Sequence, residues 1–146
     1  MVDRGRICGL FVLRRKGDSV EYLLVQKPKK GSWGPPKGRV DPGETDMDTA
    51  FRETEEEVGY DKNDLKIYED TRREVHIVSK RKDKIGVFWI AELIDAQKEV
   101  RINPAEHSGF KWLSPQDTQR LILNCLKSLF SDFNQFVREK LLTSTD

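Results

Sequence analysis

Apolar residues are grouped along this chain in two ways, as short dense runs and as wider repeats of three or four. ICGLFVLRR and EYLLVQK, joined by the turn-like KGDS, read as two strands of a hairpin. Neither run alternates with polar residues, so both strands are expected to be buried on both faces. From Lys27 to Glu44 the chain is dense in Gly, Pro and Lys, which predicts a loop with fixed turns rather than helix or strand. Thr45 with Asp48 three residues on forms a capping-box-like start. Gly59 stands where a left-handed residue would end the helix, and Met47, Ala50, Phe51, Thr54 and Val58 supply its packing side. LKIYED, EVHIVS, IGVFWIAEL and GFKWLS follow as four strands, with SKRKDK as a basic hairpin tip. Ser114-Pro115 with Asp117 marks another helix start. The spacing of Leu121, Ile122, Cys125, Leu129, Phe133, Phe136 and Val137 then fits one long helix or two shorter ones.

Composition narrows the class more than the function. The 146 residues are expected to form one domain over 1–146, enough for a full core without disulfides. With 26 basic and 25 acidic side chains, bulk charge selects neither nucleic acid nor membrane, so function must lie in local charge placement. Cys8 and Cys125 lie in apolar surroundings without metal-ligand spacing and are expected to be free thiols in a reducing compartment. The apolar run at the N-terminus is too short for a signal peptide or a membrane span. The expectation is a soluble monomer of the cytoplasm, with the nucleus as a further setting.

Local charge placement is most concentrated between Gly38 and Tyr60. Glu53, Glu56 and Glu57 fall at i, i+3 and i+4, neighbouring positions on one helical face, where three like charges need compensation. A hard cation such as Mg2+, bound through oxygen and bridging to substrate phosphates, suits them better than zinc. The bland reading, a solvated acidic helix face, does not explain the placement of Gly38, Arg52 and Gly59.

The run GRVDPGETDMDTAFRETEEEVGY, residues 38–60, resembles the signature of the Nudix hydrolases. Gly38, Glu44, Arg52, Glu53, Glu56, Glu57 and Gly59 match, while Thr54 and Tyr60 depart from two apolar positions. The resemblance implies an α/β (α+β) fold, an α/β/α sandwich with a mixed central sheet between helices. It also implies a metal set of Glu53, Glu56 and Glu57 with the Gly38 carbonyl, loaded with Mg2+ or Mn2+. Arg52 would orient the carboxylates and Glu44 would brace the loop.

Outside the box, SWGPPKGRVDPGE is similar to the loop of the family's asymmetric diadenosine tetraphosphate hydrolases, through Trp33, Pro35, Pro36 and Lys37. That places Lys37 beside phosphate as a point charge and Trp33 among substrate contacts. AEHSGFKWL is similar to a second segment of that group and nominates Glu106 as further metal ligand or base, against the alternative of a solvated loop carboxylate. His107 would contact phosphate or fix the loop. Of the cations Lys27, Lys29, Lys30, Lys80, Arg81, Lys82 and Lys84, Lys80 and Lys84 are nominated for the polyphosphate chain, the rest reading as surface. Phe88 and Trp89 should point to opposite sides of their strand, one inward and the other outward or into the cleft, and the resemblance aligns Phe88 with an aromatic of that group that can stack on adenine. Ile77 stands where the group offers a tyrosine.

The expected function is therefore metal-dependent hydrolysis of a nucleoside polyphosphate, with asymmetric cleavage of diadenosine tetraphosphate to ATP and AMP the specific form. Glu53 or Glu106 would act as base. Diphosphoinositol polyphosphates, RNA 5′ ends and nucleotide sugars are the alternative substrates, and a non-catalytic nucleotide-binding module is the alternative class. Apart from RNA ends, neither nucleic acid nor membrane is an expected partner.

Overall fold

The computed structural model describes residues 5–29, 31–77 and 83–142. Its strands are β1 (Arg6–Lys16), β2 (Ser19–Gln26), β3 (Trp33–Gly34), β4 (Lys37–Arg39), β5 (Leu65–Ile77), β6 (Lys84–Leu93) and β7 (Gly109–Leu113). Helices are α1 (Asp46–Val58), α2 (Pro115–Leu121) and α3 (Lys127–Phe136), with a 3-10 turn at Asn124–Leu126 and a widened π turn at Val137–Leu141. One mixed sheet runs β3-β2-β1-β6-β5, with β4 paired to β1 and β7 to β2. β1 and β6 are parallel, Leu10 lying opposite Trp89, and the other pairings are antiparallel.

The sheet carries a core on each face, which is why the apolar runs of β1, β2 and β6 do not alternate. On one side Leu10, Val12, Leu23 and Trp89 pack with Ala50 and Val58 of α1. On the other, Phe11, Leu13, Leu24 and Phe88 pack with Leu129, Phe130 and Phe133 of α3. This is the expected α/β/α sandwich. It also corrects the reading of β6: Phe88 and Trp89 do point to opposite sides, but both sides are core.

Helix α1 starts and stops where the sequence indicates. The Thr45 hydroxyl accepts the Asp48 N–H and the Asp48 carboxylate accepts the Thr45 N–H, both at 3.1 Å, which satisfies two N-terminal donors. Gly59, at φ 84°, closes the helix in a left-handed conformation that a side chain would disfavour. Arg6 of β1 fastens the first turn to the sheet through two contacts to the Asp46 carboxylate, at 2.7 and 2.6 Å.

Two elements differ from expectation, and the C-terminal run, which allowed one long helix or two shorter ones, forms two. The Gly- and Pro-rich loop contains β3 and β4, too short for a hydrophobic pattern to register. LKIYED and EVHIVS are largely one strand, β5, with a register shift between Tyr68 and Arg73. There the buried Thr71 hydroxyl donates to the Tyr68 carbonyl and accepts the Ile90 N–H, replacing ladder bonds that the irregularity breaks. The C-terminal helical run is interrupted at Ile122, which is extended and bridges to Trp33, while the Leu123 N–H donates to the Trp33 carbonyl at 3.1 Å. Much of the predicted basic tip, including Lys80, Arg81 and Lys82, lies outside the described residues, as does Lys30.

Candidate active site

β4 lies between β1 and α1, so the backbone of Lys37 and Gly38 meets the acidic face of the helix. The Lys37 N–H donates to Glu57 Oε1 at 3.3 Å. At Gly38 there is no room for a side chain: a β-carbon would stand 2.0 Å from Glu53 Cδ. The glycine is thus the floor on which the Glu53 carboxylate rests.

Arg52 organises the rest of the cluster. Its Nε and Nη2 grip both oxygens of Glu44 at 2.6 and 3.0 Å. Nη1 reaches Glu53 at 2.8 Å and Glu56 at 3.3 Å, and Nη2 also donates to the Arg39 carbonyl. A planar fork can join four partners in this way where a lysine would not. Glu44 also accepts the Asp41 N–H and the Thr49 hydroxyl, and the Arg52 fork holds its carboxyl down at about 2. Thr49 is a buried part of this brace that sequence reasoning passes over; a hydroxyl among the helix's packing positions was the available signal.

Glu57 is 4% exposed. Burial, then the hydrogen bond and negative charge of Glu53, push its carboxyl well above the ordinary range. Against it stands His107, 6% exposed, with Nε2 at 3.5 Å from Glu57 Oε1 and Nδ1 buried without a partner. Burial and the charges of Lys37 and Lys27 push this imidazole down, disfavouring its protonated form. The Lys37 ammonium lies over Gly34, where a β-carbon would be 3.4 Å from Nζ. Removal from water, with repulsion from Lys27 and Lys84, lowers it to about 8. Lys27 and Lys84 are thus within electrostatic reach of Lys37, whereas the sequence distinguished Lys37 and Lys84 but treated Lys27 as surface.

The nominated residues divide clearly. Gly38, Arg52, Glu53, Glu56, Glu57, Lys37 and His107 come together, Glu56 being the solvent-facing member. Lys84 sits within electrostatic reach of Lys37, and Trp33 is half-buried beneath the Lys111 ammonium, 5.2 Å from its ring centroid. Glu106 is exposed on a turn and accepts from Asn103 Nδ2 at 2.9 Å; its neighbour His107 is the residue that turns inward. Phe88 does not line the cleft. It is fully buried, edge-on to Phe11 with ring centroids 5.5 Å apart, so its expected stacking on adenine is corrected to a place in the core. Lys80 lies outside the described residues.

Among the described residues no three His, Cys, Asp or Glu side chains form a ready-made metal cage. The donor set nevertheless fits Mg2+, which takes one or two carboxylates, retains water and borrows substrate phosphate oxygens. Glu53 and the buried Glu57 share a proton when no cation is bound, and a cation would displace it and offset the repulsion of the ionised pair.

Comparison with known proteins agrees with this geometry. Residues 3–130 match the NUDIX domain. The chain is 37% identical over 140 residues to the asymmetrical bis(5′-nucleosyl)-tetraphosphatase of Mus musculus, covering 90% of this chain and 95% of that protein. It is 34% identical over 117 residues to its namesake from Caenorhabditis elegans, covering 80% of this chain and 83% of that one. The crystal structure of a C. elegans Ap4A hydrolase binary complex superposes with a TM-score of 0.87 at 32% identity, covering 92% of this chain and 98% of that one.

Proposed function

The chain belongs to the Nudix family, and on that premise we propose that it hydrolyses a phosphoanhydride bond in nucleoside polyphosphates, cleaving diadenosine tetraphosphate asymmetrically to ATP and AMP. Its curated relatives of that activity align along nearly the whole chain, and the residues gathered around β4 and α1 fit the chemistry. The observation that carries the reading is the Glu53–Glu57 pair, one carboxylate buried, with Lys37 beside it.

In the proposed site Glu53, Glu56 and Glu57 hold divalent metal, Mg2+ or Mn2+, with the Gly38 carbonyl as a further oxygen. Such a cation polarises phosphoryl oxygens and lowers the pKa of water. Arg52 keeps Glu53 and Glu56 oriented, and Glu44 anchors Arg52. Lys37, with Lys27 and Lys84, offsets negative charge that builds on the phosphate chain in the transition state. Of the two candidate bases Glu53 is the better supported, since it rests on Gly38 inside the cluster while Glu106 is bound to Asn103 on an exposed turn. Glu106 remains a candidate for a ligand delivered by that turn. His107, with Nε2 3.5 Å from Glu57 Oε1, braces Glu57.

Turnover of diadenosine tetraphosphate in isotopically labelled water with Mg2+ tests this directly. ATP and AMP with one labelled phosphate between them are the expected products. Two ADP molecules would remove the asymmetric assignment, and tight binding without turnover would make the chain a nucleotide sensor.

A second reading is favoured by one observation. With Phe88 in the core and Ile77 packed against the same cluster, Lys27 and Lys84 stand within electrostatic reach of Lys37 without that expected stacking ring, an arrangement suited to diphosphoinositol polyphosphates. Including these compounds in the same assay separates the two. A cytoplasmic setting and a monomeric state complete the proposal, the free thiols Cys8 and Cys125 being in keeping with a reducing compartment.

A further inference from the structure

A second cavity of about 380 Å³ lies on the α1 side of the sheet, away from the carboxylates. Its lining includes Arg14, Arg15 and Lys16 at the end of β1, residues 96–100 of the β6–β7 connection, and Phe110 and Trp112 of β7. Lys37 pairs with Gly9 at the other end of β1, and six residues of strand separate Gly9 from Arg15, about 20 Å. The β1 wall of the cavity thus lies well away from Lys37, while Phe110 at its other edge pairs with Val25, whose other neighbour is Gly34 beneath the Lys37 ammonium, so the cavity flanks the phosphate cleft.

Its chemistry combines two features. Phe110 and Trp112, two residues apart on one strand, point to the same face. The Phe110 side chain is 40% exposed, unusual for a phenylalanine beside a core, and the Arg14 guanidinium stacks over Trp112 at 4.3 Å. Around this aromatic floor stand three cations, Arg14, Lys16 and Lys98, whereas the Arg15 guanidinium turns to the other face of the sheet, toward Glu92 and the Leu141 carbonyl. The three have carboxylate partners, Glu21 for Arg14 and Lys16 and Asp64 for Lys98, and Glu99 also lines the cavity. The Lys16 contact is long, at 3.4 Å, and its side chain is 69% exposed. Of these pairs the Lys16 contact is the weak one, so Lys16 is the cation most available to an incoming anion.

The opposite wall is pre-formed. Within residues 94–101 the Gln97 N–H donates to Asp95 Oδ1 and the Lys98 N–H to the Asp95 carbonyl. The Tyr60 hydroxyl donates to the Lys98 carbonyl at 2.7 Å, and the Arg101 N–H to the Val58 carbonyl at 2.9 Å. The last two bonds fasten the wall to the C-terminal end of α1. The first of them also gives the tyrosine at position 60, a departure from the apolar residue of the Nudix signature, a specific task.

We propose that this cavity is an accessory binding site for an aromatic anion of mononucleotide size, its ring on Phe110 and the Arg14–Trp112 stack and its phosphate among Arg14, Lys16 and Lys98. The volume falls within the range of small-ligand sites, and an aromatic surface ringed by cations selects a nucleotide over a bare anion or a neutral nucleoside.

The test is a titration of the 15N-labelled full chain in EDTA with AMP, adenosine and inorganic phosphate as separate probes, read by two-dimensional NMR. AMP should shift the Trp112 indole and the Gln97–Val100 amides saturably at millimolar concentration or below, with adenosine and phosphate each about tenfold weaker. Phe110→Ser should weaken AMP about tenfold at those signals. Lys16→Ala, at an exposed position that does not endanger folding, should weaken it in the same direction. Unmoved signals, equal binding of phosphate alone, or unchanged affinity in both variants would overturn the proposal.

Discussion

The Glu53 carboxylate lies directly against the α-carbon of Gly38, so that a β-carbon there would stand 2.3 Å from either of its oxygens. Both residues belong to the same signature, fifteen positions apart, and the contact explains why the first must be glycine. Gly38→Ala is expected to displace the carboxylate by about 1 Å or more, which costs on the order of a hundredfold in turnover. Because the strain falls on a side chain at the rim and not on the core, the variant should still fold. Wild-type turnover in a folded Gly38→Ala protein would show that Glu53 has no fixed position to lose.

Metal-free protein should become less stable as pH rises. The folded state keeps a proton on Glu57, whose carboxyl is raised, while the unfolded chain releases it above the ordinary value of 4.5. Stability from this residue is complete below that value and is lost as pH climbs toward the folded-state pKa. Mg2+ should therefore raise the melting temperature more at about pH 8.5 than at about pH 6, because only the ionised pair attracts it. Glu57→Gln should flatten the pH profile without metal and abolish most turnover. An equal Mg2+ effect at both pH values would contradict this account.

Asp46 acts in the opposite sense. Its two contacts to Arg6 hold its carboxyl at about 2 against an ordinary 3.8. Its contribution is present above 3.8 and is lost as pH falls through about 2, an effect of about 2 kcal/mol for a side chain only 21% exposed. Asp46→Asn should be less stable than wild type by about that amount at neutral pH and match it at about pH 2. Urea titrations at the two pH values measure the difference, and a gap that persists in acid would assign the loss to packing instead.

What was legible in the sequence follows from how local each determinant is. Thr45, Asp48 and Gly59 act within one turn of the residues they cap, and the carboxylate spacing is a property of a single helix, so α1 and its acidic face could be read directly. The break at Ile122 could not, because apolar spacing continues through it and the competing bond comes from Trp33, far away in the chain. Thr71 and the merger of two expected strands into β5 depend on the partner strand in the same way. Glu106 and His107 are adjacent and equally polar, and only the path of the loop decides which turns toward Glu57.

Phe88 exposes the same limit at the site itself. In a strand with core on both sides, alternation says that Phe88 and Trp89 face opposite ways but not that either side is open. Phe88 lies edge-on to Phe11 with no exposure, and a β-carbon on Gly86 would come within 2.7 Å of its ring. Phe88→Leu should accordingly lower stability by about 1 kcal/mol, the scale of a shape change in a packed core. The KM for diadenosine tetraphosphate should stay within about twofold, whereas loss of a stacking wall would weaken base binding by about 1–3 kcal/mol. Urea midpoints and steady-state kinetics on one preparation decide between them. A KM raised about tenfold or more at an unchanged midpoint would return Phe88 to the substrate cleft.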